Sequence, residues 1–288
     1  MTGLTLYLVV VAGVLGLVMG SFLNVVAYRV PAGMSLLGPS RCPHCDAKIK
    51  PWHNVPVLGW IVLRGKCESC GGRISARYPI VEAATGIAFA GITWWVLAGV
   101  SSRFARSTTG EWTTGGFGEW AAAGVVIVAF CYLAAISIVL TLIDIDVKRL
   151  PNSIVLPSYV VGAVLLTLAS WLLGDWTALL WAGIGMAVLY AFYFVLRLVR
   201  PGGMGGGDVK LAGVLGLYLG WVGWGALAVG AFAAFLIGGI WGIALMAARK
   251  AGRKTAIPFG PFMILGAWVG VFAGNGIGRW YVNLFVGA

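Results

Sequence analysis

Two stretches decide how this chain is read: AAISIVLTLID at residues 134–144 and GMGGGDVKL at residues 203–211. In each, an aspartate (Asp144, Asp208) sits where an apolar run meets a short polar loop. An ionised carboxylate costs about 2.5–3.5 kcal/mol at the centre of a membrane helix and less near the interface. Two of them at the ends of apolar segments imply acid–base chemistry at the edge of a bilayer.

The rest of the sequence supplies that bilayer. Of 288 residues, 60% are hydrophobic and 10% charged, and the mean hydropathy is +0.94. A soluble domain has no use for so much apolar surface. Eight apolar segments approach the length of about 20 residues that a helix needs to cross a membrane. They lie near 4–28, 79–99, 119–143, 153–173, 177–199, 209–222, 224–248 and 258–276. The division between the sixth and seventh rests on Gly220, Gly223 and Gly225. The expected fold is an all-α polytopic membrane protein of about eight transmembrane helices with a small cytoplasmic zinc-ribbon-like insert.

The net charge of +11 suggests nucleic acid, but its distribution argues against such a partner. With eight crossings, 17 of the 20 basic residues fall on one side, and only Arg103, Arg106 and Arg279 fall on the other. The positive-inside rule makes the rich side cytoplasmic and puts both termini outside. Anionic lipid heads are a secondary partner for that charge. The N-terminal MTGLTLY carries no Lys or Arg before its apolar run, unlike a removable signal peptide, and Arg29 follows it.

One segment, 31–78, is soluble in character and holds four of the five cysteines. Its C-x-x-C pairs, Cys42/Cys45 and Cys67/Cys70, have the spacing of a structural four-thiolate zinc site. Disulfides or free thiols are the alternatives, and a reducing compartment disfavours disulfides. His44 and His53 are spare ligands that four thiolates make unnecessary. Cys131, inside an apolar run, reads as packing. The expected organisation is a first transmembrane helix at 1–30, this zinc-binding module at 31–78 and a transmembrane domain at 79–288. The Gly- and Thr-rich stretch 100–118 reads as a flexible outer loop.

Taken alone, Gly205-Gly206-Gly207-Asp208 is equally a glycine turn with a helix-capping aspartate. Asp144 changes the balance, because two approaching carboxylates cannot both ionise cheaply: one holds a proton while the other activates water. Asp146 is two residues on and points away from Asp144 on a continuing helix. It reads as solvated or paired with Lys148 or Arg149. Gly205 and Gly207 free the backbone for a substrate chain. Lys210 is a candidate for contact with lipid, a substrate carboxylate or the aspartates.

Further signatures run in order along the chain. They are GSFLNVV at 20–26 with Arg29-Val30-Pro31, the C-x-x-C module, RISARYP at 73–79 with Glu82, Asp144 with Pro151-Asn152, the glycine motif, and IPFGPF at 257–262. Together they resemble the type IV prepilin peptidases, in the branch that is both leader peptidase and N-methyltransferase. The resemblance implies that Asp144 and Asp208 are catalytic. It also implies that the substrate is a prepilin or pseudopilin, cut after a glycine at the cytoplasmic face of the bacterial inner membrane. It further implies methylation of the new N-terminus from S-adenosylmethionine. Arg73, Arg77, Tyr78 and Glu82 are then candidates for cofactor or amine contacts, with an Arg–Glu82 structural pair as the alternative. No Rossmann fingerprint supports the cofactor. Asn24 reads as a helix–helix hydrogen bond. Rival readings of the aspartates are a proton-coupled transporter and, without chemistry, an assembly scaffold.

Overall fold

The structure, a computed structural model, describes residues 3–98, 117–200, 204–248 and 258–286. Nearly all of the expected outer loop 100–118, the basic run 249–254, and Gly203 and Ile257 of the signatures lie outside the described residues.

Among the described residues ten α-helices follow one another: α1 (Gly3–Arg29), α2 (Leu58–Val62), α3 (Arg77–Leu97), α4 (Phe117–Val147), α5 (Asn152–Leu173), α6 (Trp176–Val199), α7 (Gly206–Val222), α8 (Trp224–Ala247), α9 (Gly260–Val269) and α10 (Asn275–Val286). A π-helical turn, Gly270–Gly274, joins the last two into one rod. Extended pairing among the described residues is limited to two isolated bridges, Arg41 with Lys48 and Lys66 with Arg73. Each of the eight apolar segments forms a helix. Among the described residues seven helices are long and apolar enough to cross a membrane, so the protein is an all-α, multi-pass membrane protein.

The remaining segment departs from expectation. α7 has 17 residues, about 25 Å at 1.5 Å per residue, against a hydrocarbon core of about 30 Å. Every residue from Leu211 to Val222 is buried. This helix faces protein rather than lipid. Its boundary with α8 falls at Gly223, whose φ of +142° suits a residue without a Cβ.

The chain divides into two compact units. In the first (1–105 with 130–139), α1 lies against α3 at backbone contact distance. A Cβ on Gly16 would stand 2.7 Å from the Thr85 carbonyl, and one on Gly20 2.6 Å from Glu82 Cα. Small residues allow this approach, which dispersion then rewards. Asn24 Nδ2 donates to the Gly20 and Tyr78 carbonyls at 3.2 and 3.3 Å, the helix-to-helix bond its position implied.

In the second unit (106–129 with 140–288), α7 is the axis. Gly185 of α6 meets Gly216 and Gly220 of α7, where a Cβ on Gly185 would lie 2.5 Å from the Gly216 carbonyl. From α5, the Tyr159 hydroxyl donates to the Lys210 carbonyl at 2.6 Å. At the far end Trp221 Nε1 donates to Ser170 Oγ at 3.0 Å, and Asn275 Nδ2 donates to the Val222 carbonyl at 3.1 Å.

Adding a side chain at this seam separates the helices. Gly216→Val is expected to lower stability by about 3 kcal/mol or more, since overpacking costs about 1–3 kcal/mol even where a core can adjust. Gly124→Ala, with nothing within 4 Å of the new Cβ, is the control expected to leave the thermal midpoint in detergent no lower, since alanine favours a helix interior over glycine.

Candidate active site

α4 does not stop at residue 143, where its apolar run ends. It continues to Val147 and leaves the helix at Lys148, whose φ is +53°. Asp144 therefore lies within the last turn. It is 4% exposed, whereas Asp146 is exposed, so the two carboxylates leave opposite sides of the helix as their spacing implied. The loop Lys148–Leu150 leads to Pro151, which precedes α5 with extended φ and ψ.

Asp208 is the third residue of α7 and half-buried. Its Oδ2 accepts the backbone N–H of Gly205 at 3.0 Å. This is one half of a capping box; glycine has no side chain to return the other half. The capping geometry is thus present, and it fixes the rotamer of the carboxylate.

Asp144 is held the same way from farther off. Its Oδ2 accepts the backbone N–H of Gly260 at 3.1 Å, across 116 residues of sequence. Gly260 begins α9, with Pro261 next. A Cβ on Gly260 would stand 2.7 Å from that oxygen. The IPFGPF signature had no assigned task in the sequence. Its glycine ahead of a proline, at the start of an apolar helix, was the available sign of an exposed amide.

The two loops share a contact. Leu150 packs on Gly207 and reaches Gly260: Cβ atoms placed there would lie 2.8 and 3.7 Å from its side chain. Asp144 and Asp208 are close enough for the charge of one to act on the other. Beside them stands an aromatic wall in which Tyr193, Phe235 and Phe259 have ring centroids 5.3–6.3 Å apart. The Arg197 guanidinium covers Gly206, 2.7 Å from where a Cβ would be. Lys210 Nζ donates to Asn152 Oδ1 at 2.9 Å, tying α7 to the start of α5. Neither contact was read from the sequence.

In the first unit the sulfurs of Cys42, Cys45, Cys67 and Cys70 all lie within 4.8 Å of one another, with Cys42 and Cys70 3.9 Å apart. Zn–S bonds of about 2.3 Å in a tetrahedron put sulfurs about 3.8 Å apart, so the donor set fits that ion. Each pair rides a tight turn: Asp46 N–H donates to Cys42 O and Gly71 N–H to Cys67 O, both at 2.9 Å. The Cys70 and Ser69 amides lower the Cys67 thiol to about 7, while against the Ala47 amide the crowded neighbouring thiols push Cys45 up to about 12, so the fit to a metal rests on the sulfur geometry. His53 Nδ1 faces Glu68 at 3.4 Å instead of the sulfurs.

The four candidate cofactor residues make structural contacts. Arg73 sits on the second bridge. Arg77 N–H donates to Ser75 Oγ at 3.2 Å. The Tyr78 carbonyl holds Asn24 while its side chain is 45% exposed. Glu82, 7% exposed, accepts the Val57 N–H at 2.7 Å, a partner the sequence did not suggest.

Known proteins match both halves of this arrangement. Residues 14–96 match the bacterial peptidase A24 N-terminal domain, and residues 131–243 match the type IV leader peptidase family. The chain is 33% identical to the prepilin leader peptidase/N-methyltransferase of Stutzerimonas stutzeri, over 96% of this chain and 94% of that one. The proteins of the same name from Neisseria gonorrhoeae (34%, 93% and 91%) and Bacillus subtilis (30%, 95% and 98%) are similar to it over comparable lengths. No solved structure matches. Identity at this level over nearly the whole length settles the relationship: the chain belongs to the type IV leader peptidase family.

Proposed function

We propose that the protein cleaves the basic leader of type IV prepilins or pseudopilins with Asp144 and Asp208, and then methylates the new N-terminus. The observation that carries the peptidase reading is the matched pair of carboxylates. Each is oriented by one glycine amide and they interact electrostatically. In the reaction, one carboxylate takes a proton from water as its oxygen attacks the scissile carbonyl. The other donates a proton to the carbonyl oxygen. The diol then returns that proton, the C–N bond breaks, and the first group protonates the leaving amine. The pair ends as it began, having titrated as a unit.

The site reads as cytoplasmic in the bacterial inner membrane, with both termini outside, because Lys148, Arg149 and Arg197 surround it. Gly205 and Gly207 let an extended substrate backbone approach, and Lys210 positions the start of α7 through Asn152. In the domain reading, 1–30 is a first membrane helix, 31–78 the zinc module associated with methyl transfer, and 79–288 the peptidase. Cys42, Cys45, Cys67 and Cys70 would hold a structural zinc, which closes the two turns into one unit and leaves no coordination position for catalysis. S-adenosylmethionine supplies the methyl group. Arg73, Arg77, Tyr78 and Glu82 are the candidates for its contacts, and methyl transfer is supported by the relatives that carry that activity in their names.

Asp144→Asn and Asp208→Asn are each expected to lower cleavage at least about a thousandfold, while a pre-cleaved substrate is still methylated. Purified protein with a precursor, with and without S-adenosylmethionine, read by intact mass, checks both; wild-type cleavage by either variant ends the peptidase assignment. Gly260→Ala, which crowds the Asp144 oxygen, is expected to reduce kcat about tenfold or more with little change in KM. Cys42→Ser is expected to remove one equivalent of zinc by elemental analysis. It should also open 31–78 to protease and depress methylation more than cleavage.

A further inference from the structure

The insert 31–78 is charged and proline-rich, yet one part of it carries no charge and is almost wholly apolar. Residues 55–63, VPVLGWIVL, form the short helix α2 and its approach. Its inner side is accounted for. Gly59 rests on the backbone of His53, where any Cβ would collide. Trp60 lies over Gly65 and its Nε1 donates to the Ile74 carbonyl at 3.1 Å. Its outer side carries Leu58, Ile61 and Val62, at spacing i, i+3 and i+4 and therefore on one face. They are 59, 55 and 73% exposed.

What covers that face follows from where it is pinned. The Val57 N–H, immediately before α2, donates to the Glu82 carboxylate at 2.7 Å. Val57 has φ +61°, a rare conformation for a β-branched residue, and the bond holds it there. Glu82 is the sixth residue of α3, a helix long and apolar enough to span, so it lies about 7–8 Å along that helix. Helices that lie in the membrane plane bury their apolar face about 5–10 Å into the headgroup–acyl boundary. α3 itself exposes Ile80, about 3 Å along the helix from Glu82 and on its far side, so α3 offers apolar surface to lipid at the depth where Val57 is pinned. Exposed Arg64 and Lys66 follow the helix at once, positioned for anionic headgroups.

We propose that α2 is an interfacial membrane anchor: Leu58, Ile61 and Val62 insert into the lipid leaflet and hold the cysteine module flat against it, with the Val57–Glu82 bond setting the depth. The occupant is lipid. A second copy of the chain or a substrate segment would need its own complementary surface and would not explain the basic residues that flank the helix.

The test uses the full-length protein in nanodiscs of phosphatidylcholine and phosphatidylglycerol. Val62 is replaced by photoreactive benzoylphenylalanine, and in a control Asp46, exposed on the first cysteine turn, is replaced instead. Irradiation is expected to give at least fivefold more phospholipid adduct by mass at 62 than at 46. Equal yields overturn the proposal, as does a cross-link from 62 to a second copy or to an added precursor. A second variant, Ile61→Asn with Val62→Asn, is expected to retain zinc and speed amide hydrogen exchange across 58–63 in the nanodisc at least tenfold. Unchanged exchange there overturns the anchor independently.

Discussion

A carboxylate buried at the end of an apolar helix must find a hydrogen-bond donor, and in this protein the donor is a glycine amide. The Asp144–Gly260 bond joins residues 116 apart in sequence, and much of the second unit is arranged so that it can form. The approach succeeds because Gly260 has no Cβ; any other residue would crowd the oxygen it serves. The same solution appears locally at Asp208 with Gly205. Backbone donors are rigid and cost no side-chain entropy to hold in place, so two acidic groups are oriented without introducing further charge into a water-poor environment.

Glycine also sets the scaffold. The α1–α3 and α6–α7 seams bring backbones together at distances closed to larger residues. Lipid offers no hydrophobic force between helices, so this contact area is what binds them. α7 benefits most. Walled by α5 and α6 and tied at its ends through Lys210, Trp221 and Val222, it presents Asp208 from a fully packed support.

The eight helices were legible because hydropathy is written along the chain. The cysteine cluster was legible because two short turns define it, and the opposed burial of Asp144 and Asp146 because helical geometry alone decides it. The end point of α4 at Val147 was not marked by hydropathy, which stops at the first carboxylate, although the reading of Asp146 already took the helix past Asp144. The short length of α7 was visible, but its enclosure was not. The contacts of Gly260, Arg197, Asn152 and Val57 escaped notice for one reason: each acts on a residue distant in sequence, through packing that no local pattern encodes. Glu82 was legible as a membrane carboxylate in need of a partner, but its donor, the Val57 amide, was not.

The brevity of α7 shapes how a peptide bond can be reached. Trp221 is level with Ser170 near one end of α5. From there to Asp208 α7 rises only about 20 Å, whereas α5 continues about 27 Å to Asn152. Asp208 thus lies about 7 Å short of the level of Asn152, a difference that the long reach of Lys210 to Asn152 spans. Solvent must reach Asp208 there for hydrolysis, and a peptide bond inside a helix has its N–H and C=O already engaged. The polypeptide to be cut has to enter uncoiled, so melting the first turn of the incoming helix becomes part of the work of each turnover.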